Sequence, residues 1–339
     1  MRPISVLLLA LITLAATVGA AVVSANRQGA VEVAKGDRLF PGLAAKLAQA
    51  QSIEIDGAGG KAKLTRAGDG WAIADKDGYP ARPEAVRRLL AAVAELETVE
   101  AKTRNPALLE RLDLTDLAAK DSKASQIQIK DAQGAVIAGL LIGKKRATPL
   151  GAMPAPQGQE MLYVRKVGDP QSWLALGQIE LRRSTVDWAD KSVIDLAPTK
   201  FRSVLVARPD AAGFTLTRAP GDSRDFALDG LPEGAKLKSQ FDANSISAAL
   251  ESLTFEDVAK APAEPITPYV SVVWTAEDGL TVTLKLMKRE DQPWASITAS
   301  GPGAEAINAK TGPWIYKLPD WRREKLESTR ESLIEKPAT

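Results

Sequence analysis

One order of elements is met twice along this chain, and it limits the possible folds more than any other feature. Its clearest mark is the triplet Leu64-Thr65-Arg66, which returns intact as Leu216-Thr217-Arg218. A repeated order implies one supersecondary unit used twice, each copy burying its own apolar face. In the first round Ser52-Ile53-Glu54-Ile55-Asp56 alternates polar and apolar residues, the pattern of a strand with one buried side. Lys63-Leu64-Thr65-Arg66 makes a second strand and Gly70-Trp71-Ala72-Ile73 a third. In the second round their counterparts are Ser203-Val204-Leu205-Val206, Thr215-Leu216-Thr217-Arg218 and Phe226-Ala227-Leu228.

A helix follows in each round. Val86, Leu89, Leu90, Val93 and Leu96 recur at helical spacing and share one face, and Ile246, Ala249, Leu250 and Leu253 repeat the stripe. Pro83 within Arg82-Pro83-Glu84 suits the first turn of the first helix, while Asp242-Ala243-Asn244-Ser245 offers capping side chains to the second. Both rounds then return to β structure. Gln126-Ile127-Gln128-Ile129 and Val136-Ile137-Ala138 flank a turn at Asp131 to Gly134, as Val270 to Trp274 and Thr281-Val282-Thr283-Leu284 flank Glu277-Asp278-Gly279. Each round closes on an aromatic strand and a helix start. These are Met161-Leu162-Tyr163-Val164 leading to Asp169-Pro170-Gln171-Ser172-Trp173, and Trp314-Ile315-Tyr316-Lys317 leading to Leu318-Pro319-Asp320-Trp321.

Hairpins on short turns, with helices between groups of strands, favour an α+β class: two tandem repeats of mainly antiparallel sheet with packed helices. The expected boundaries are an N-terminal segment at 1–25, a linker at 26–45, a first repeat at 46–197, a second at 198–325 and a charged helical tail at 326–339. The stretch Ile179 to Leu196 joins the repeats. Equivalent positions would be Ile53 and Val204, Leu64 and Leu216, Val93 and Leu250.

The N-terminal segment is a separate signal. Ile4 to Val23 runs without a charged side chain after Arg2, and as a helix it spans roughly 30 Å, the thickness of a bilayer core. Two readings fit: one retained transmembrane helix, or a cleaved signal ending at Ala25 before Asn26, after the small residues of Val23-Ser24-Ala25. The apolar run exceeds an ordinary signal core, which favours the anchor. Positive charge before it favours a cytoplasmic N-terminus, placing the bulk of the chain in the periplasm or outside the cell. The next most apolar run, Ala135 to Ile142, is too short to span and reads as a strand.

Two absences remove whole reaction classes. With no cysteine and no histidine there is no thiol nucleophile, imidazole base, Cys/His zinc site, disulfide or cysteine-linked lipid. There is no Gly-x-Ser-x-Gly, and no serine is followed three residues later by lysine. Gly57-Ala58-Gly59-Gly60-Lys61 lacks the Walker spacing and reads as a hairpin turn. The acidic groups Asp75-Lys76-Asp77 and Asp187 to Asp190 have no diagnostic metal or glycosidase spacing and suit turns and caps. No catalytic residue, cofactor or metal site is assigned. A formal charge of +2 gives no basic field for nucleic acid. The short basic runs Lys144-Lys145-Arg146, Arg182-Arg183 and Arg322-Arg323 read as solvated surface.

Seven tryptophans remain to be placed. Trp71, Trp173 and Trp321 stand at corresponding points of the two rounds and are expected in cores. Trp294 and Trp314, near prolines and glycines, are the candidates for exposure and for a partner contact.

Taken in order, the apolar N-terminal run, the Ser52 to Ile55 strand, Leu64-Thr65-Arg66 with Trp71, the Val86 to Leu96 helix, Leu108 to Leu114 and the second round from Phe201 resemble the domain-of-unknown-function 4340 family. The resemblance covers most of residues 40 to 325 and rests on pattern and spacing. It implies a bacterial, membrane-anchored protein of the inner membrane, of a kind often encoded beside ABC-type transport systems resembling those of gliding motility. It brings no catalytic residues. The expectation is a non-enzymatic accessory or scaffold that contacts the membrane through its N-terminal helix and binds ABC-transporter subunits. A module binding envelope glycan or another envelope polymer is the alternative, and a carboxylate-dependent hydrolase comes third.

Overall fold

The computed structural model describes residues 36–146, 159–182, 184–220 and 223–335. The apolar run Ile4 to Val23 and the junction at Ala25 and Asn26 lie outside these residues. Among the described residues no helix is long and apolar enough to cross a membrane.

The elements follow in chain order: α1 Leu43–Lys46, β1 Ser52–Gly57, β2 Ala62–Ala67, β3 Gly70–Ile73, β4 Tyr79–Pro80, α2 Pro83–Glu95, β5 Glu97–Ala101, β6 Ser125–Lys130, β7 Val136–Lys145, β8 Glu160–Lys166 and β9 Ser172–Gly177. Next come β10 Ser192–Ile194, β11 Phe201–Ala207, β12 Phe214–Arg218, β13 Phe226–Leu228, α3 Gln240–Ser247, β14 Leu253–Thr254, β15 Asp257–Lys260, β16 Pro268–Ala276, β17 Thr281–Arg289, β18 Gln292–Ser300, α4 Ala304–Thr311, β19 Trp314–Lys317 and α5 Asp320–Leu326. The described chain is thus mostly antiparallel sheet with a few helices. It forms two compact units that are not contiguous in sequence, one of residues 36–51, 55–59 and 87–181, the other of residues 52–54, 60–86 and 182–335.

In the first unit the strands run in the order β6-β7-β8-β9-β5, every neighbouring pair antiparallel. Ile127, Ile129, Leu140, Val164 and Leu174 are fully or almost fully buried, as strand alternation requires. Asp37 to Leu39 run along β5, where Thr98 N donates to the Asp37 carbonyl (2.9 Å) and Leu39 N to the Leu96 carbonyl (2.8 Å). Gly36 approaches so closely that a Cβ there would lie 1.6 Å from the Thr98 oxygen. With Leu39 and Leu43 also buried, the expected linker at 26–45 is corrected: from Gly36 onward it is packed structure.

A loop after β5 closes over this sheet. Leu109, Leu114, Ala124 and Leu141 form a buried cluster, and Arg165 of β8 pins the loop from below. Its guanidinium donates to the Leu114 carbonyl (3.1 Å), to Asp116 Oδ1 (2.5 Å) and to the Asp169 carbonyl (3.2 Å). Asp116 is solvated, so the two carbonyls carry most of the dependence on this side chain. Arg165→Met should therefore cost about 3 kcal/mol, read as a lower urea midpoint, because it leaves buried acceptors unpaired. Arg165→Lys should recover little, since a single ammonium cannot reproduce the fork.

The second unit holds an eight-stranded antiparallel sheet in the order β13-β12-β11-β16-β17-β18-β19-β15. The run β16-β17-β18-β19-β15 has the same sequence of connections as β6-β7-β8-β9-β5. In each, a four-stranded meander ends beside the strand that entered before it. The hairpin turns agree as well, with Gly134 and Gly279 both at positive φ (79° and 88°), a conformation that favours glycine. Leu64 of β2 pairs with Ile73 of β3, and Leu216 of β12 with Leu228 of β13.

The stripes on the helices are buried as the spacing predicts, but the second helix is shorter than expected. α3 ends at Ser247, a 3-10 turn carries Ala249 and Leu250, and Leu253 already belongs to β14. Its cap is Ser239, whose hydroxyl accepts from Asp242 N (3.4 Å), one turn before the side chains expected to cap it. The expected helix start at Asp169 is also corrected. Asp169 Oδ1 accepts from Gln171 N (2.8 Å) in a tight turn, and Ser172 to Gly177 continue as β9 against β8. The same acceptor chemistry suits a cap or a turn, and here strand pairing decided for the turn.

The joining segment and the tail are packed too. Val186, Trp188, Ala189, Val193 and Ile194 are buried. Leu326 and Leu333 are also buried, and Ile334 bridges to Leu237, so the expected charged tail belongs to the domain as far as Glu335.

Candidate functional site

The clusters singled out in the sequence resolve into local structure. At the glycine-rich turn, Ala58 N donates to the Ala124 carbonyl (3.1 Å) and Gly59 N to Ser125 Oγ (2.7 Å), so these amides are already engaged. Asp75 accepts from Lys63 N (2.8 Å) and Asp77 from Lys260 N (3.3 Å). Asp187 closes a capping box with Ser184 and pairs with Lys191 (2.7 Å), which holds its carboxyl below the usual range. Asp190 Oδ1 accepts from Ser192 N (3.2 Å). Among the described residues no group of three acidic side chains has the disposition of a metal site.

The tryptophans divide differently from expectation. Trp71 is buried as expected, Trp173 is only half-buried, and Trp321 is exposed, which corrects its assignment to a core. Helical geometry gives the reason. On α5, Arg322 and Leu326, four residues apart, face inward, and Trp321 stands about 100° away from Arg322. Arg322 keeps its inward place because its guanidinium donates to the carbonyls of Ala248 and Glu251 (both 3.1 Å), and burial lowers its pKa. Trp294 and Trp314 are both half-buried. Trp314 packs edge-on against Tyr79 with ring centroids 4.9 Å apart, so it serves packing at least in part.

A concavity lies where one end of the second sheet meets α5. Consecutive strands deliver Arg208 just past the end of β11, Tyr269 at the start of β16, Lys288 at the end of β17 and Pro293 at the start of β18. Arg323, Glu327 and Thr329 close the other side, giving a groove of about 640 Å³. Tyr269 OH donates to Glu327 Oε1 (2.6 Å), and Arg323 holds Glu327 Oε2 (2.6 Å). Arg208 grips Asp210 through two bonds (3.0 and 2.9 Å) and also donates to the Glu327 carbonyl.

Both carboxylates of this network are engaged, while Arg323 Nε is buried and meets no acceptor among the described residues. Burial, then the hydrogen bond to Glu327, raises the Tyr269 phenol well above its ordinary value, so it is a fixed donor at neutral pH. The ion pairs with Glu327 and Asp320 outweigh the burial of Arg323 and hold it charged, while Arg208 draws the Asp210 carboxyl below its usual range. Lys288 is exposed at the rim and makes no ion pair among the described residues. Trp294 follows Pro293, with Arg289 over its ring at 6.0 Å. Trp294 alternates with Pro293 on β18 and does not line the groove, so the arrangement can hold a polar or anionic group without an aromatic wall from that residue. The contributing residues are spread from Arg208 to Thr329, and the sequence pattern assigns none of them to a site.

The family model described as Domain of unknown function (DUF4340) matches residues 71–269, more than half of the chain. No curated protein and no solved structure matches.

Proposed function

Because the chain belongs to the DUF4340 family of domains of unknown function, we propose that it works as a non-enzymatic, single-pass envelope protein of the bacterial inner membrane, an accessory or scaffold of an ABC-type transport system. The groove at the end of the second sheet carries this reading. Its two carboxylates are held by Tyr269, Arg323 and Arg208, which makes a rigid recognition surface and leaves neither placed as a proton carrier. The shared strand order of the two units is read as a tandem duplication, which would supply a second copy free to diverge into a binding surface. Ile4 to Val23 supplies the anchor, and anchoring raises the effective concentration of the domain beside other membrane proteins.

The intact protein should stay with membranes through carbonate washing, be digested by external protease in spheroplasts, and co-purify with transporter subunits. A form beginning at Asn26 should recover far less of them. Trp294→Ala should weaken recovery by about tenfold with the fold intact. Trp314→Ala is the poorer probe, because it also removes the packing on Tyr79. Release of a soluble form beginning near Asn26 would replace the anchor by a cleaved signal.

An envelope polymer is the second reading, favoured by the half-buried Trp294, whose exposed ring face is suited to stacking on a sugar. Recovery of glycan without transport subunits in native-membrane crosslinking would place it first.

A further inference from the structure

Among the large apolar side chains of the described residues, Phe241 and Trp321 are the most exposed, at 72% and 60%. They stand on α3 and α5, which pack against each other, and Lys325 links the helices. Its ammonium lies 5.6 Å from the Phe241 ring and 2.6 Å from Asp242 Oδ1. Arg322 stacks on Trp321 at 4.4 Å. Lys236 and Lys238, just before α3, are exposed and make no ion pair among the described residues. Of the nearby acids, Asp242 and Asp320 are paired with Lys325 and Arg323, Glu324 lies 4.0 Å from Arg323, and Glu335, whose amide donates to the Lys236 carbonyl (3.0 Å), is exposed.

We infer that this face docks on the surface of a lipid bilayer, Trp321 and Phe241 entering the headgroup layer with Lys236 and Lys238 against anionic lipid. The patch is too small for a protein partner. Two aromatic side chains at these exposures offer roughly 250 Å² of ring surface, against about 800 Å² per partner in an ordinary stable interface. A headgroup layer needs no matching shape, and aromatic rings flanked by lysine and arginine are what it accepts. The apolar run Ile4 to Val23 would hold the chain at a bilayer. The inference rests on the anchored reading above.

The test uses the full chain reconstituted in vesicles of equal parts phosphatidylethanolamine and phosphatidylglycerol. A photoreactive diazirine side chain is placed at Phe241, at Trp321 or, for comparison, at Leu205, which is 43% exposed on β11. Lipid adducts at the first two positions should exceed those at Leu205 by about fivefold, and Lys236→Glu with Lys238→Glu should lower them. Circular dichroism checks that each variant is folded. Adducts at the Leu205 level, or adducts to a second polypeptide in their place, would overturn the inference. Carbonate washing of the same vesicles separates the two readings. A chain that washes off removes the anchor and the inference with it, whereas a retained chain without lipid adducts removes the inference alone.

Discussion

Replacing Trp274 by alanine is expected to cost the second unit about 4 kcal/mol, enough to leave much of it unfolded at moderate urea. Trp274 is fully buried on β16, between Val204 of β11 and Val282 of β17. Its indole nitrogen donates to the Ser247 carbonyl (3.0 Å) at the last residue of α3, so one side chain joins the middle of the sheet to the helix that covers it. Alanine would open a cavity and strip a buried carbonyl of its donor, two costs that add. Trp274→Phe keeps most of the volume and loses the bond, and should cost about half as much. Chemical denaturation of the two variants beside the parent checks both values. Equal midpoints for alanine and phenylalanine would show that packing volume contributes little here.

Alkaline titration should produce the second large effect. Tyr79 and Tyr316 are buried side by side with Phe255 and Trp314, and the Tyr79–Phe255 ring centroids are 5.4 Å apart. Tyr79 OH donates to the Asp190 carbonyl (3.3 Å), while the Tyr316 hydroxyl meets no partner in hydrogen-bonding geometry among the described residues. Burial raises both phenols far above the ordinary value of 10.0, with Asp190 adding to the effect on Tyr79 and Tyr79 to that on Tyr316. The unfolded chain then loses protons that the folded chain keeps. Their stabilising contribution is complete below pH 10.0 and is lost progressively as pH rises toward the folded values. Each phenol should remove about 1.4 kcal/mol per pH unit above its unfolded value, and the pair nearly 3. Tyr269 adds a smaller share, being nearer solvent. Unfolding followed against pH should steepen in that window, with the tyrosinate absorbance of Tyr79 and Tyr316 rising only as the chain unfolds. Tyr79→Phe together with Tyr316→Phe should flatten the curve. An unchanged slope would mean that these phenols ionise in the folded state.

What the sequence determined by itself is local and periodic. Alternation placed Ile53, Leu64, Val204 and Leu216 in strands and inside, because successive strand residues face opposite ways whatever the sheet around them. The 3.6-residue stripe placed Val86, Leu89 and Val93 inside for the same kind of reason. Asp131 to Gly134 and Glu277 to Gly279 announced hairpin turns through glycines that adopt positive φ without strain. Matters that depend on which distant elements meet were decided only by the tertiary structure. Trp321 resembles Trp173 in its flanking sequence, yet one lies on the outer face of a helix and the other in a strand, since pairing with β8 and packing of Leu318, Arg322 and Leu326 settled their surroundings. The groove needed strands β11, β16, β17 and β18 to end side by side, an adjacency set by sheet order. Arg208, Tyr269, Arg323 and Glu327 carry no shared periodicity, because a hydrogen-bonded network is specified by distances in space and leaves no spacing in the chain.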